Sequence, residues 1–311
     1  MPNAVALTAR SSATSATPDL KTTSRLCLSG APGDFAAVVR RVAASNHPDA
    51  KGRTMNAPPE SQITHSADGT PIAWSVEGDG PVLVVVDCVM AWRGSTPQPQ
   101  LPAALARHFT VITYDRRGKG ESGTTHPYAV DRECEDLAAV ISAASDGASV
   151  YGFSSGAVLA LTAAARGVPM TKVVALEPPV GGRDLPDRRS EFSAILASDP
   201  RAANEFFMVD VQGIPADVLK NFPPLSPEQV AAVPTILHEL TMLAEIDPQA
   251  LAGSTTATLL LHSDHTAPFL VDCAERIHHS LPSSELKVLP GHWHGVADEL
   301  IVSECIRFLA S

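Results

Sequence analysis

The sequence predicts an α/β protein with a mainly parallel central sheet and helices on both faces. From about residue 60 onward, short apolar runs rich in β-branched residues alternate with longer amphipathic stretches, as in buried parallel strands joined by helices. The 311 residues are 44% hydrophobic and 18% charged, which is enough to build a substantial core. No apolar run approaches the roughly 18 residues of a membrane-spanning helix.

Seven apolar runs are predicted as strands and four stretches as helices. The strands are 72–76, 82–86, 109–114, 149–151, 172–176, 258–261 and 285–289, and the helices are 131–144, 156–166, 271–280 and 300–309. The first two strands are separated only by the turn residues EGDGP. This turn predicts an antiparallel hairpin between them at one edge of the sheet.

The first 54 residues differ from the rest in charge and pattern. They hold seven basic and three acidic residues, a net charge of +4, so the remaining residues carry −15. Their small polar composition predicts a disordered leader, with at most one short helix. An organellar transit peptide shares this composition and stays open as an alternative. We favour Met55 as the true start, with one folded domain over residues 55–311.

Residues 181–252 interrupt the alternation of strands and helices. This segment contains several helical pieces broken by prolines and no convincing strand. Since it is inserted between two sheet strands, we expect it to form a helical cap over one end of the sheet.

Composition argues against several classes of protein. The net charge of −11 and the 5% aromatic content are unfavourable for binding nucleic acid. The five cysteines are scattered and include no CxxC pair, which predicts neither a disulfide framework nor a metal site and suits a reducing compartment. A soluble cytoplasmic enzyme without cofactor is expected, with no nucleic-acid or membrane partner; a homodimer is left open.

The sharpest local signal is Gly152-Phe153-Ser154-Ser155-Gly156, between a predicted strand and an Ala-rich helix. Reversal of a strand into a helix over so few residues strains the central serine, and side chains at either flanking glycine would collide. The Ser154 hydroxyl would then project above the sheet. The Ser155 N–H would lie at a helix N-terminus, where an oxyanion is stabilised. The alternative is a glycine turn in which Ser154 only caps the helix.

A nucleophilic serine needs a base, and position favours His294 among the eleven histidines. His294 lies between the last predicted strand and the last helix, where the returning loop can reach Ser154. His292, two residues earlier, is the second choice. His238 could line a substrate pocket, but a solvated position on a helix of the cap is the preferred explanation.

These motifs together resemble the α/β-hydrolase superfamily. The VVVD strand, YDRRGKGES, YGFSSG, the inserted helical segment and GHWH occur in that superfamily's order, over residues 61–311. More narrowly, YGFSSGAVLALTAAARG and ALEPPV are similar to a bacterial subgroup of capped hydrolases. The resemblance implies the α/β-hydrolase fold, with Ser154 as nucleophile, His294 as base and the Ser155 N–H as one oxyanion donor.

Two departures from the family pattern concern the oxyanion loop and the triad acid. Most members carry His-Gly after the third strand, where this chain has Asp87-Cys88-Val89, so the second oxyanion donor is expected to be the Val89 N–H. After the seventh strand the usual acid is replaced by Thr266. Glu177, at the end of the sixth strand, and Asp264 are the candidate replacements; Glu177 is preferred because Asp264 would require a rearranged loop.

The leading hypothesis is a serine hydrolase acting on an ester, thioester or lactone of a small molecule, with Ser154, His294 and Glu177 as the triad. Phe206, Phe207 and Met208 are predicted to form the pocket wall. One alternative is other chemistry on the same fold, such as C–C hydrolysis, elimination or cyclisation. Another is a non-catalytic ligand-binding protein.

Overall fold

The computed structural model describes residues 60–180 and 187–310. These residues form one eight-stranded mixed sheet with helices on both faces, which confirms the predicted fold class. The predicted leader, residues 1–54, lies outside the described residues.

The sheet has the order β1-β2-β4-β3-β5-β6-β7-β8. Strands β3 to β8 run parallel to one another. Strands β1 and β2 extend one edge, where β2 is antiparallel to both of its neighbours, β1 and β4. The strands are β1 (Gln62–His65), β2 (Pro71–Glu77), β3 (Val82–Val86), β4 (Thr110–Tyr114), β5 (Ser149–Phe153), β6 (Lys172–Leu176), β7 (Ala257–His265) and β8 (Ser284–His292).

The predicted hairpin between residues 72–76 and 82–86 is wrong. Strand β4 inserts between them, so that Ile112 is the register partner of both Val76 and Val84. The turn residues carry the chain across the start of β4, where the Thr110 N–H donates to the Pro81 carbonyl at 3.0 Å. Strand β2 is antiparallel to β4 on one side and to β1 on the other. The sequence pattern did not reveal β1, because its side chains are mostly exposed.

Eleven α-helices are found in the described residues, most of them in the connections between successive strands. They are α1 (Leu101–Leu105), α2 (Val130–Ala144), α3 (Ser155–Ala165), α4 (Arg189–Leu196), α5 (Pro200–Phe206), α6 (Ala216–Leu219), α7 (Pro227–Ala232), α8 (Ile236–Glu245), α9 (Pro248–Leu251), α10 (Pro268–Ser280) and α11 (Asp298–Leu309). The four predicted helices correspond to α2, α3, α10 and α11, each beginning slightly earlier than expected. Helix α10, for example, begins at Pro268, since proline suits the first helical turn.

The sheet separates two hydrophobic cores. Successive side chains of β3 point to opposite faces of the sheet. Val84 and Val86 pack in the core beneath α2 and α3, whereas Leu83 and Val85 pack in the core beneath α1 and α11. Helix α3 is buried nearly all round because it packs on β5 and β6 and also contacts α2 and α9. The sheet and α3 therefore form a rigid support for the loops at the carboxyl ends of the strands.

The segment between β6 and β7, residues 177–256, is called here the inserted segment. Its described residues form helices α4 to α9, a π-helical turn (Phe207–Val211) and a 3-10 turn (Val233–Thr235), and contain no strand. It has an apolar cluster of its own, which includes Phe192, Phe207 and Ile236. Val89 and Met90, from the loop after β3, pack against this cluster. Across all the described residues, no helix combines the length and apolarity needed to cross a membrane.

Candidate active site

Four non-glycine residues of the described chain have positive φ, and all lie just beyond the carboxyl end of a strand. They are Met90 (57°), Ser154 (53°), Glu177 (47°) and His294 (54°), following β3, β5, β6 and β8. Such backbone conformations cost on the order of 1–3 kcal/mol each and concentrate at functional sites. Ligands of open parallel sheets bind at this same edge. Backbone strain therefore marks the same place as the sequence motifs.

Ser154 occupies a sharp turn from β5 into α3. Its φ of 53° and ψ of −122° are held by a 2.9 Å hydrogen bond from its N–H to the Leu176 carbonyl. A Cβ on Gly152 would lie 2.6 Å from the Ala157 Cα, and one on Gly156 would lie 2.2 Å from the Val86 carbonyl oxygen. The predicted need for glycine at both positions is confirmed. The collisions are with the backbone of α3 and of β3.

The two predicted oxyanion donors, Val89 and Ser155, follow the adjacent strands β3 and β5. Val86 pairs with Gly152 in the parallel register of β3 and β5, so Val89 and Ser155 each lie three residues beyond a paired position. Ser155 opens α3, and the first N–H groups of a helix have no partner within it. Val89 lines the cavity that also contains Ser154.

His294 is paired with Glu177, the carboxylate preferred from the sequence. The Nδ1 atom of His294 lies 2.6 Å from Oε2 of Glu177, and the His294 main-chain N–H donates to the same oxygen at 2.8 Å. Because Nδ1 faces the carboxylate, the other ring nitrogen, Nε2, is the one available for a proton from Ser154. Trp293 stacks on the His294 ring at 4.4 Å between centroids, a contact that sequence reasoning missed.

Glu177 is fully buried and accepts four hydrogen bonds. Besides the two from His294, Oε1 accepts from the Ser263 main-chain N–H at 3.0 Å and from its hydroxyl at 2.6 Å. Burial alone would raise the pKa of Glu177, but the hydrogen bonds and charge attraction from His294, together with the Ser263 bonds, lower that pKa to about 2. The carboxylate is therefore charged at neutral pH. No sequence signal pointed to Ser263 as its partner.

Asp264, the alternative acid, lies elsewhere. Its Oδ1 accepts from the Gly291 N–H and from Nδ1 of His265, both at 2.9 Å, and its side chain is 43% exposed. The Gly291 N–H and His265 hold the pKa of Asp264 below its ordinary value. These bonds fix the end of β7 to β8 and do not involve His294.

Two other histidines, His292 and His238, were candidates for the base or for the pocket wall. His292 ends β8 and lines the same cavity as Ser154 and His294, but Glu177 binds His294. His238 was expected on a solvated surface, which is wrong: it is buried and stacks on Tyr128 with ring centroids 3.9 Å apart. Burial lowers the pKa of His238 to about 4, so its ring is neutral at pH 7.

A cavity of about 660 Å³ opens above Ser154. Its walls come from the loop after β3, from Trp293 and His294, and from the inserted segment. Phe207 and Met208 line it as predicted, whereas Phe206 does not; the Phe206 ring packs against the Arg188 guanidinium 4.9 Å away. The walls are mostly apolar, as is typical of a site for small organic molecules. Polar residues line the cavity both at the strand ends and in the inserted segment, where they are Arg201, Asn204, Glu205, Gln212 and Gln229.

Within residues 60–180 and 187–310, no group of three or more His, Cys, Asp or Glu side chains could hold a metal ion.

Comparison with known proteins identifies the family and the fold. The sequence profile of the alpha/beta hydrolase family matches residues 89–302. An alpha/beta hydrolase from Sphaerobacter thermophilus is 36% identical, with a TM-score of 0.73 over 80% of this chain and 100% of that one. An esterase from Exiguobacterium antarcticum (19% identical, TM-score 0.64, 81% and 100% covered) and an enol-lactonase from Burkholderia xenovorans (16% identical, TM-score 0.60, 80% and 100% covered) share the fold.

Proposed function

Because the chain belongs to the alpha/beta hydrolase family, we propose that it is a serine hydrolase that cleaves an ester, thioester or lactone of a small molecule. The observation that carries this proposal is the 2.6 Å contact between His294 Nδ1 and a buried Glu177, with His294 and Ser154 lining one cavity. A buried carboxylate that orients a histidine beside a strained serine has the roles of a Ser-His-acid triad.

The proposed reaction proceeds through an acyl-enzyme. Ser154 Oγ attacks the substrate carbonyl carbon while His294 Nε2 takes the hydroxyl proton, and Glu177 stabilises the imidazolium that forms. The main-chain N–H groups of Val89 and Ser155 hold the oxyanion of the tetrahedral intermediate. His294 then gives the proton to the leaving alcohol, thiol or lactone oxygen. Water, deprotonated by His294, releases the acid and restores Ser154.

The inserted segment acts in this proposal as a cap that selects the substrate. It supplies Phe207, Met208 and Phe222 to the cavity wall opposite the strand ends. Such apolar walls favour substrates with uncharged, apolar groups next to the scissile carbonyl.

The test is hydrolysis of a panel of esters, thioesters and lactones by the wild type and by Ser154→Ala. We expect activity with at least one class in the wild type and none above background in Ser154→Ala. A fluorophosphonate should add one phosphonyl group to the wild type, at the peptide that contains Ser154, and leave Ser154→Ala unmodified. Activity that survives Ser154→Ala would refute the proposal, and a wild type inert to every member and to the probe would favour other chemistry or ligand binding.

The role of the cap is tested with three consecutive residues, of which two line the cavity and one does not. Phe207→Ala and Met208→Ala alter the cavity wall, while Phe206→Ala removes a buried ring outside it. We expect the first two to change the ratio of kcat/KM between short and long acyl groups by about tenfold, since contacts in an apolar pocket are worth about 1–3 kcal/mol. Phe206→Ala should lower the melting temperature with that ratio unchanged. The opposite pattern would mean that Phe207 and Met208 are ordinary core residues.

A further inference from the structure

A cluster of four buried charges lies beneath the loop after β3. Arg116 and Lys119 follow β4, Glu133 lies on α2, and Glu239 lies on α8 of the inserted segment; each is at most 2% exposed. Arg116 binds Glu133 through two bonds of 2.7 and 2.8 Å and Glu239 at 3.0 Å. The Lys119 ammonium lies 2.7 Å from Glu239.

The burial of these four charges is not explained by protein stability. Removing charged groups from water is costly, and apolar residues of similar volume are often at least as stabilising as a buried ion pair. Both cations, however, also reach the main chain of the β3 loop. Lys119 Nζ donates to the Cys88 carbonyl at 3.3 Å, and Arg116 Nη1 donates to the Asp87 carbonyl and to the Ser155 hydroxyl, both at 3.4 Å.

The bond from Lys119 determines where the next N–H points. In a trans peptide the C=O and the N–H lie on opposite sides of the chain, and the Cys88–Val89 bond is trans. The Cys88 carbonyl points inward, toward Lys119 and the Ala91 N–H at 3.4 Å. The Val89 N–H therefore points away from Lys119, and Val89 is one of the residues that line the cavity.

We propose that Lys119, held by Glu239, is a positioning residue of the oxyanion hole: by fixing the Cys88 carbonyl it aims the Val89 N–H at the oxyanion. The inference rests on the proposed hydrolase function. The start of this loop, residues 87–90, needs such an anchor because it contains no glycine and holds Met90 at a φ of 57°. A flip of the Cys88–Val89 peptide would turn the donor away and leave a carbonyl facing a developing negative charge.

The same contacts couple the inserted segment to the reacting centre. Glu239 joins Lys119 to α8, and Val89 and Met90 pack against the apolar cluster of that segment. A substitution in α8 should therefore affect turnover through the loop, although Glu239 is not among the residues that line the cavity.

The test is the double variant Lys119→Met/Glu239→Gln, which removes the anchor without leaving an uncompensated buried charge. Deleting an oxyanion donor costs about 10²- to 10³-fold in kcat, so misaiming one is expected to cost ~10- to 100-fold, with KM within about threefold of wild type. The kcat is calculated per active site that reacts with a fluorophosphonate, so that unfolded protein does not lower the measured value. Lys119→Arg, which keeps a donor, should recover part of kcat, and Glu239→Gln alone should lower it less.

Arg117→Met/Asp136→Asn is the matched control. Arg117 and Asp136 form a buried pair with two 2.7 Å bonds and come from the same loop and helix as Arg116 and Glu133. Their hydrogen bonds and ion pairs do not involve residues 87–89. The control should lower the melting temperature and leave kcat per titrated site unchanged. An active wild type with an equally active Lys119→Met/Glu239→Gln, or an equal kcat loss in the control, would overturn the inference alone. A wild type without Ser154-dependent activity would overturn the proposed function and the inference with it.

Discussion

Two neighbouring strands, β6 and β7, each carry a carboxylate near their carboxyl end, and only one reaches His294. Leu176, the last residue of β6, pairs with Leu261 of β7. Glu177 directly follows β6, and Asp264 is the second-last residue of β7. Glu177 is fully buried with four hydrogen bonds, whereas the Asp264 side chain is 43% exposed and binds Gly291 and His265.

The difference follows from the pleat of β7. Successive side chains of a strand point to opposite faces. Strand β7 continues to His265, with Ser263 directed inward to Glu177 and Asp264 directed outward. A carboxylate at position 264 would reach His294 only if the strand were broken earlier. The comparison shows that burial and strand register, more than closeness in sequence to the family's usual position, select the partner of a histidine.

Among substitutions at the two carboxylates and their partners, the largest expected effect comes from Glu177→Gln. The amide keeps the shape of the side chain but loses the charge that stabilises an imidazolium, and loss of this charge in a serine-protease triad lowers turnover by about 10⁴-fold. We expect a fall in kcat of at least ~100-fold with a smaller change in KM. Steady-state kinetics on the best substrate of the panel provide the measurement. If neither Glu177→Gln nor Asp264→Asn matters while Ser154→Ala abolishes activity, the enzyme works as a Ser-His dyad.

The depressed pKa of Glu177 predicts a pH dependence of stability. Its pKa in the folded protein is about 2, below the ordinary 4.5, so the stabilisation is present above about pH 4.5 and is lost as the pH falls toward 2. A shift of this size corresponds to about 3 kcal/mol. Denaturant unfolding between pH 6 and pH 3 should show a steeper loss of unfolding free energy in the wild type than in Glu177→Gln. Parallel curves would mean that folding does not lower the pKa of this carboxylate.

An intermediate effect is expected for Ser263→Ala. The substitution removes the 2.6 Å hydroxyl bond to Glu177 and the 2.9 Å contact of the same hydroxyl with the His292 carbonyl, and leaves the bond from the Ser263 N–H. We expect kcat to fall about fivefold and stability to fall by about 1–2 kcal/mol, as for the loss of one bond to a charged group. Ser280→Ala, which removes a hydroxyl bonded to Ile277 within α10, is the control and should leave kcat unchanged. A Ser263→Ala protein with wild-type turnover and stability would show that this hydroxyl is dispensable.

The smallest effect is expected for Asp264→Asn. An asparagine keeps an acceptor for the Gly291 N–H, and the exposed position contributes little through charge. The expected kcat is within about twofold of wild type, since no bond to His294 is lost. A larger kcat loss here than in Glu177→Gln would transfer the role of the acid to Asp264.

The sequence allowed most of the sheet and part of the site to be predicted. Buried strands and long helices show periodic patterns, and the glycines around Ser154 have a local steric cause. Ser154, Glu177 and His294 could be proposed because each follows a strand of a parallel sheet, which brings them to one edge.

Contacts between distant parts of the chain could not be predicted. The turn residues before Pro81 suit a hairpin as well as a crossing over β4, so they did not identify the partner of β2. Lys119 and Glu239 are separated by 120 residues and meet only because the inserted segment folds back over the β3 loop. His238 was misjudged for the same reason, because its partner Tyr128 lies before α2.

The most direct test of the central claim, that Glu177 is the partner of His294, is the proton NMR spectrum of the imidazole N–H groups in histidine labelled with nitrogen-15. A short hydrogen bond from Nδ1 to a buried carboxylate moves the proton resonance far downfield. We expect this resonance in the wild type and in Asp264→Asn, and its loss in Glu177→Gln and in His294→Gln. A resonance that persists in Glu177→Gln and disappears in Asp264→Asn would contradict the assignment.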